Sequence, residues 1–288
     1  MKLMMFSAGT GTRLGIVDGD SVIDVAACDA GLPATLLDLI GAGPEIAARM
    51  AGLAAGAPAA ARKKLADLTP ALPIERPGKF ICVGLNYAAH AREGGHAIPE
   101  YPSLFVRWPT SLVAAGAPVI CPKSSVQLDY EAELTIVIGK GGRHIAEEKA
   151  LEHVFGYTLF NDVSVRDFQR KTSQWTPGKN FDGTGPLGPV VVTADALPPG
   201  ASGLRIISRV NGETRQDSNT ADMIFPTARI IAILSEFMTL EAGDIIATGT
   251  PSGVAHARTP PAWMKPGDRV EVEVEGIGIL ANPVVAES

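Results

Sequence analysis

Three carboxylates interrupt an otherwise apolar run at 126–139, VQLDYEAELTIVIG. Side chains alternate across a strand. An extended run therefore puts Leu128, Tyr130, Ala132, Leu134, Ile136 and Ile138 on one face and Asp129, Glu131 and Glu133 on the other. Neighbouring acids then sit roughly 6–7 Å apart, twice the rise per residue. Such charges repel, so the face is either open to water or offset by something positive. ExE in a strand is commonly an exposed sheet edge. Three features argue against that here: the apolar character of the rest of the run, the mid-run position of the acids, and a further acid, Asp162, that ends the next apolar segment, FGYTLFND. Glu131, Glu133 and Asp162 together offer the oxygen ligands that hard divalent cations such as Mg²⁺ take.

A second pair with chemical potential is His90 and Glu93, at i and i+3 in NYAAHAREGG. On a helix both lie on one face. A carboxylate beside an imidazole fixes its tautomer and raises its basicity, which suits a general base; the alternative is a surface pair of no consequence. Gly94 and Gly95 follow at once and point to a mobile segment, as in an active-site lid. Lys179, in the Gly/Pro-dense WTPGKNFDGTGPLGP, is either a solvated loop charge or a fixed cation near an anionic substrate. Arg166 and Gln169 are equally open. TGTPSG (248–253) is either a simple turn or a carboxylate cradle of hydroxyl and N–H groups. His96, His144, His153 and His256 show no ligand spacing.

The elements that must position these groups are mostly strands. Residues 1–26 alternate and turn, which predicts two or three short strands in hairpins. The stretch GTGTRLG does not fit a dinucleotide loop, since strand rather than helix follows it. Residues 33–56 have helical spacing broken by Gly and Pro. Charge and repeated proline at 57–79 mark a boundary between a small leading domain, 1–72, and a body, 73–288. In the body KFICVGLNY, FGYTLFND, LRIISRVNGETRQDS, DIIATG and DRVEVEVEGIGILANPVV read as strands, the third as a hairpin on an NG turn, and TARIIAILSEFMTL as an amphipathic helix. The expected class is β-rich α+β. A net charge of −6 argues against nucleic acid as a partner. Three scattered cysteines with no CxxC argue against a disulfide framework. The opening apolar run is too short for a signal peptide and no stretch approaches bilayer length, so the cytoplasm is the expected location.

Five motifs, LDYEAEL, GYTLFNDVSVRDFQ, GKNFDGTGPLGP, DIIATGTPSGV and MKPGDRVEVEVEGIG, occur in this order between about residues 78 and 285. Together they resemble the fumarylacetoacetate hydrolase family. The resemblance implies a mixed β-sandwich roll with a small N-terminal α/β domain, a homodimer, and Mg²⁺ or Mn²⁺ held by Glu131, Glu133 and Asp162. It places the family's lid dyad on His90 and Glu93, its lysine on Lys179, and its substrate contacts on Arg166, Gln169 and Thr250. Departures fall at Arg107 and Trp108, where many relatives carry Lys-Pro, and at Val165, often Ala; they bear on the substrate rather than the metal. By resemblance the substrate is a small oxo-acid. The first expectation is hydrolysis of a C–C bond in a β-diketo acid of acylpyruvate type, through an enolate held by the cation, in catabolism of aromatic or sugar-derived acids. The alternative is isomerisation or decarboxylation of a 2-hydroxymuconate-type or oxo-diacid substrate, oxaloacetate included. A non-catalytic oxo-acid binder is a third possibility.

Overall fold

The computed structural model describes the backbone of residues 1–288 and every side chain except that of residue 44. Two mixed sheets face each other. Across the large sheet the strands run in the order Arg62–Lys64, Ser21–Asp24, Gly11–Asp18, Lys2–Ala8, Gly185–Thr193, Val154–Asn161, Ala132–Ile138, Ile245–Ala247, Phe80–Gly84 and Ser103–Val106. Most pairs are antiparallel, but Ile245–Ala247 runs parallel to Phe80–Gly84, and Leu112–Ala114 runs parallel to Gly185–Thr193. The small sheet orders Glu213–Asn219, Arg205–Val210, Arg269–Val274, Gly278–Ala286 and Val119–Cys121. The architecture is the β-rich, mixed-sheet roll expected from the motifs.

Local chemistry explains the turns. The Asn-Gly hairpin between Arg205–Val210 and Glu213–Asn219 has Asn211 at φ 53° and Gly212 at φ 80°, the two positive angles that a two-residue turn of the primed type needs. The first two strands pair from Leu3↔Ile16 to Ala8↔Gly11 around a turn at Gly9, so GTGTRLG is a hairpin. Thr35 caps the helix Leu36–Gly41 by accepting from Asp38 N–H at 3.1 Å. The leading 72 residues contribute four strands to the same large sheet as the body, joined through Met4↔Val190. The helices Leu36–Gly41 and Gly43–Gly56 bury Leu36, Leu39 and Met50 against Leu14 and Ile16 of those strands.

The acidic run is not one strand. Leu128–Asp129 leaves the large sheet and pairs with Ser164–Val165 in a separate two-stranded ribbon. The strand proper, Ala132–Ile138, begins three residues later and is buried on both faces. The Asn161 carboxamide stabilises the break by accepting the Glu131 N–H at 2.9 Å. On one face Leu134, Ile136 and Ile138 pack with Ile206, Val272 and Leu280 of the small sheet. On the other, Val137 packs with Phe80, Phe160 and Ile245. Each such side chain, fully buried, contributes roughly 1.5–3 kcal/mol. Among the described residues no helix is long and apolar enough to cross a membrane.

Candidate active site

Four neighbouring interior strands of the large sheet bring their ends together on one side. Ala132–Ile138 begins there, while Val154–Asn161, Ile245–Ala247 and Phe80–Gly84 end there. The register Ala132↔Asn161 sets Glu131 opposite Asp162, whose N–H donates to the Glu131 carbonyl at 2.9 Å. Glu131, Glu133 and Asp162 thus converge, with one oxygen from each within 4.8 Å of the others. They form part of the wall of a cavity of about 440 Å³. Of the residues expected at the site, His90, Arg166, Gln169, Lys179 and Thr250 line the same cavity, and Glu93 stands behind His90.

The acids are buried, which excludes the exposed-edge reading: Asp129, Glu131, Glu133 and Asp162 are at most 4 % exposed. Buried carboxylates need partners. Asp129 accepts from Arg166 Nε at 2.8 Å and from the Ala255 and His256 N–H groups. Glu131 accepts from Arg166 Nη2 at 2.5 Å and from Lys179 Nζ at 2.6 Å. Asp162 accepts from the same Lys179 Nζ at 2.6 Å and from Arg107 Nε and Nη2 at 2.9 and 2.6 Å. Glu133 has only the Gly249 N–H, at 2.9 Å. Four carboxylates therefore face three cations, one negative charge in excess.

The proton affinities follow. Burial alone would raise Glu131, but the charges of Arg166 and Lys179 hold it well below the usual carboxylate range. Burial would depress Lys179, and Asp162 and Glu131 instead lift it above its ordinary value, so it remains an ammonium. Glu133 moves the other way: burial, reinforced by the charges of Asp162 and Glu131, pushes its carboxyl far up. The repulsion inherent in the acidic run is thus concentrated on Glu133.

These features fit a divalent cation. Three hard oxygen donors lie within a span that one ion with bonds of about 2.1 Å can bridge after small side-chain adjustments. The donor that lacks a cationic partner is one of the three. Glu131, Glu133 and Asp162 are the residues that would hold it.

The dyad is formed, and His90 lines the cavity. His90 Nδ1 lies 2.8 Å from Glu93 Oε1 on the short helix Ala88–Glu93, and the His90 side chain is 8 % exposed. Glu93 Oε2 accepts the Gly253 N–H at 2.9 Å, which ties the helix to the TGTPSG loop. Gly253 is required there: it sits at φ 106°, and a Cβ would lie 2.3 Å from the Arg215 carbonyl oxygen. Thr250 Oγ1 accepts from Gln216 Nε2 at 2.7 Å. Ahead of the helix, Leu85 adopts φ 56°, a strained conformation for a γ-branched residue with a Cβ. Asn86 holds that turn through hydrogen bonds to Phe225 N–H and to the Phe225 and Thr248 carbonyls.

Sequence reasoning did not find several members of the site. Arg107 registered only as a departure, yet it is buried and clamps Asp162, Val163 O and Thr184. Asp129 was an unplaced third acid; it is the anchor of Arg166. His256, assigned nothing, lines the cavity with Nδ1 3.3 Å from Asp129. Only pairings distant in sequence bring these residues in.

Comparison with known proteins bears on the chemistry. Residues 79–285 match the family description "Fumarylacetoacetate (FAA) hydrolase C-terminal". The chain is 40 % identical over 292 residues to the mitochondrial oxaloacetate tautomerase FAHD2A of Bos taurus, covering 99 % of this chain and 92 % of that one. It is 39 % identical over 285 residues to the oxaloacetate tautomerase YisK of Bacillus subtilis, covering 93 % and 94 %. The crystal structure of maleylpyruvate hydrolase from Sphingobium sp. SYK-6, in complex with manganese(II) and pyruvate, superposes with a TM-score of 0.84 at 31 % identity over the full length of both chains.

Proposed function

The chain belongs to the fumarylacetoacetate hydrolase family, and from that premise we propose that its cavity tautomerises a 2-oxo dicarboxylate of the oxaloacetate type, interconverting keto and enol forms. One observation carries the proposal: the acidic trio, the Lys179 ammonium and the His90–Glu93 dyad all converge on one cavity. C–C hydrolysis, the first expectation from the motifs, would use the same groups plus an attacking water. The tautomerase names of relatives about 40 % identical support the isomerase alternative over it.

The reaction moves one proton from C3 to O2. The C3–H bond breaks, its electron pair becomes the C2=C3 bond, and the carbonyl π pair moves onto O2, which takes up a proton. The Glu93 carboxylate accepts from His90 Nδ1–H, which leaves the Nε2 lone pair free to take the C3 proton and, in reverse, to return it. Lys179 and Arg166 keep positive charge beside the oxo-acid head, where O2 becomes negative. A divalent cation bound by Glu131, Glu133 and Asp162 supplies Lewis acidity toward an oxo-acid head. The acids Glu131, Glu133 and Asp162 with Arg166 and Lys179 make a buried floor to the cavity, and that burial strengthens each of these interactions, because water screens them little.

The test follows the ultraviolet absorbance of enol-oxaloacetate in the presence of Mg²⁺. The wild type accelerates its decay to the keto form, and His90→Ala loses roughly 10²–10⁴-fold of that acceleration while keeping its affinity for Mg²⁺. The same protein is assayed for pyruvate released from oxaloacetate and for cleavage of an acylpyruvate. Cleavage or decarboxylation faster than tautomerisation overturns the proposal.

A further inference from the structure

The cavity contains one arginine with no acidic partner. Arg166–Gln169 is a single helical turn, and the Arg170 N–H closes it on the Arg166 carbonyl at 3.1 Å. Arg166, Gln169 and Arg170 all line the cavity. Arg166 is buried and committed to Asp129, Glu131 and Gln169. Arg170 stands one turn further along and is exposed, and among the described residues no carboxylate pairs with its guanidinium. The other basic groups of the lining differ. Lys179 is held by Glu131 and Asp162, His256 by Asp129, and His90 by Glu93. His96 carries charge only when protonated, whereas an arginine is charged at every working pH.

We infer that Arg170 receives the second carboxylate of the substrate and makes the cavity selective for 2-oxo dicarboxylates over 2-oxo monoacids. This rests on the oxo-acid reading of the floor. The oxo-acid head belongs with the trio, Lys179 and Arg166, and the opposite end of a diacid then needs a cation that the floor does not use. Four residues of helix rise about 6 Å. The terminal carbons of an extended four-carbon diacid lie roughly 4 Å apart, three C–C bonds. The flexible arginine stem covers the difference, and its planar fork matches a carboxylate in two places. A 2-oxo monoacid of equal length leaves that fork solvated.

The experiment compares oxaloacetate with 2-oxobutanoate, which has the same chain length and lacks the second carboxylate. Affinities for both are measured by calorimetry on the Mg²⁺-loaded protein, together with KM in the enol assay. Wild type is expected to prefer oxaloacetate by roughly tenfold or more, the scale of a charge-assisted hydrogen bond at a partly exposed site. Arg170→Gln is expected to remove that preference by weakening oxaloacetate alone, and Arg170→Lys to restore part of it. Equal weakening of both ligands, or an unchanged preference, overturns the assignment. If the wild type does not tautomerise oxaloacetate, the proposed reaction falls, and the paired affinities still decide the role of Arg170.

Discussion

Replacing Glu133 by Gln should stabilise the metal-free protein and remove its response to Mg²⁺. Glu133 is 2 % exposed and lacks a cationic hydrogen-bond partner, so its charge is the uncompensated one of the floor. A glutamine oxygen can still accept the Gly249 N–H, so the packing is kept. Relieving one buried group of this kind is worth about 2 kcal/mol, within the 1–3 kcal/mol range for unsatisfied buried polar groups. For a chain of 288 residues, with an unfolding entropy of about 2.1 cal/mol/K per residue, that corresponds to a rise in Tm of about 3 °C. The pH dependence has a defined sign. The folded-state pKa of Glu133 is raised, so the stability contributed by its protonated form is complete below the ordinary carboxylate range and is lost as pH rises towards the folded value. The advantage of Glu133→Gln should therefore be small near pH 4 and widen with rising pH. Saturating Mg²⁺ reverses the order. Wild type gains about 2.7 kcal/mol at a hundred times Kd, and the variant gains much less. Thermal unfolding with and without Mg²⁺, from pH 4.5 to 8, reads all of this. A variant that is less stable without metal, or that shifts with Mg²⁺ as much as wild type, refutes the reasoning.

Asp129→Asn should lower stability by about 1–3 kcal/mol, because both Asp129 oxygens accept, Oδ1 from the Tyr130 and Ala255 N–H groups and Oδ2 from Arg166 Nε and the His256 N–H, and a carboxamide keeps one acceptor and turns an NH2 donor towards the remaining donors; a Tm within a degree of wild type contradicts this. Gly253→Ala should cost several kcal/mol and lower turnover at unchanged Mg²⁺ affinity, since the new Cβ meets the Arg215 carbonyl and displaces the N–H that orients Glu93; unfolding and steady-state kinetics report both effects. Lys179→Met should weaken both stability and turnover, because Glu131 and Asp162 lose the ammonium that bridges them.

The legible parts of the site were those written in adjacent residues. The ExE spacing, the acid ending FGYTLFND and the i, i+3 dyad each report on a neighbourhood of a few residues, and the structure brings all three to one cavity. The NG hairpin was legible for the same reason. What local pattern could not carry was pairing across long separations. Arg107 enters because Ser103–Val106 lies beside Phe80–Gly84. The leading strands join the large sheet through Gly185–Thr193, a contact with no local signature. Alternation extended the acidic strand too far back, since it cannot sense that Asn161 caps a break at Glu131. The third acid, Asp129, then belongs to a different ribbon and a different partner, Arg166.

The most direct measurement is enol-oxaloacetate turnover by one preparation before chelation, after chelation, and after return of Mg²⁺ or Mn²⁺. Wild type should lose its activity in chelator and recover it with the metal, while Glu131→Ala, with one of the three ligands gone, should not recover. Undiminished wild-type turnover in chelator would contradict a catalytic cation held by Glu131, Glu133 and Asp162.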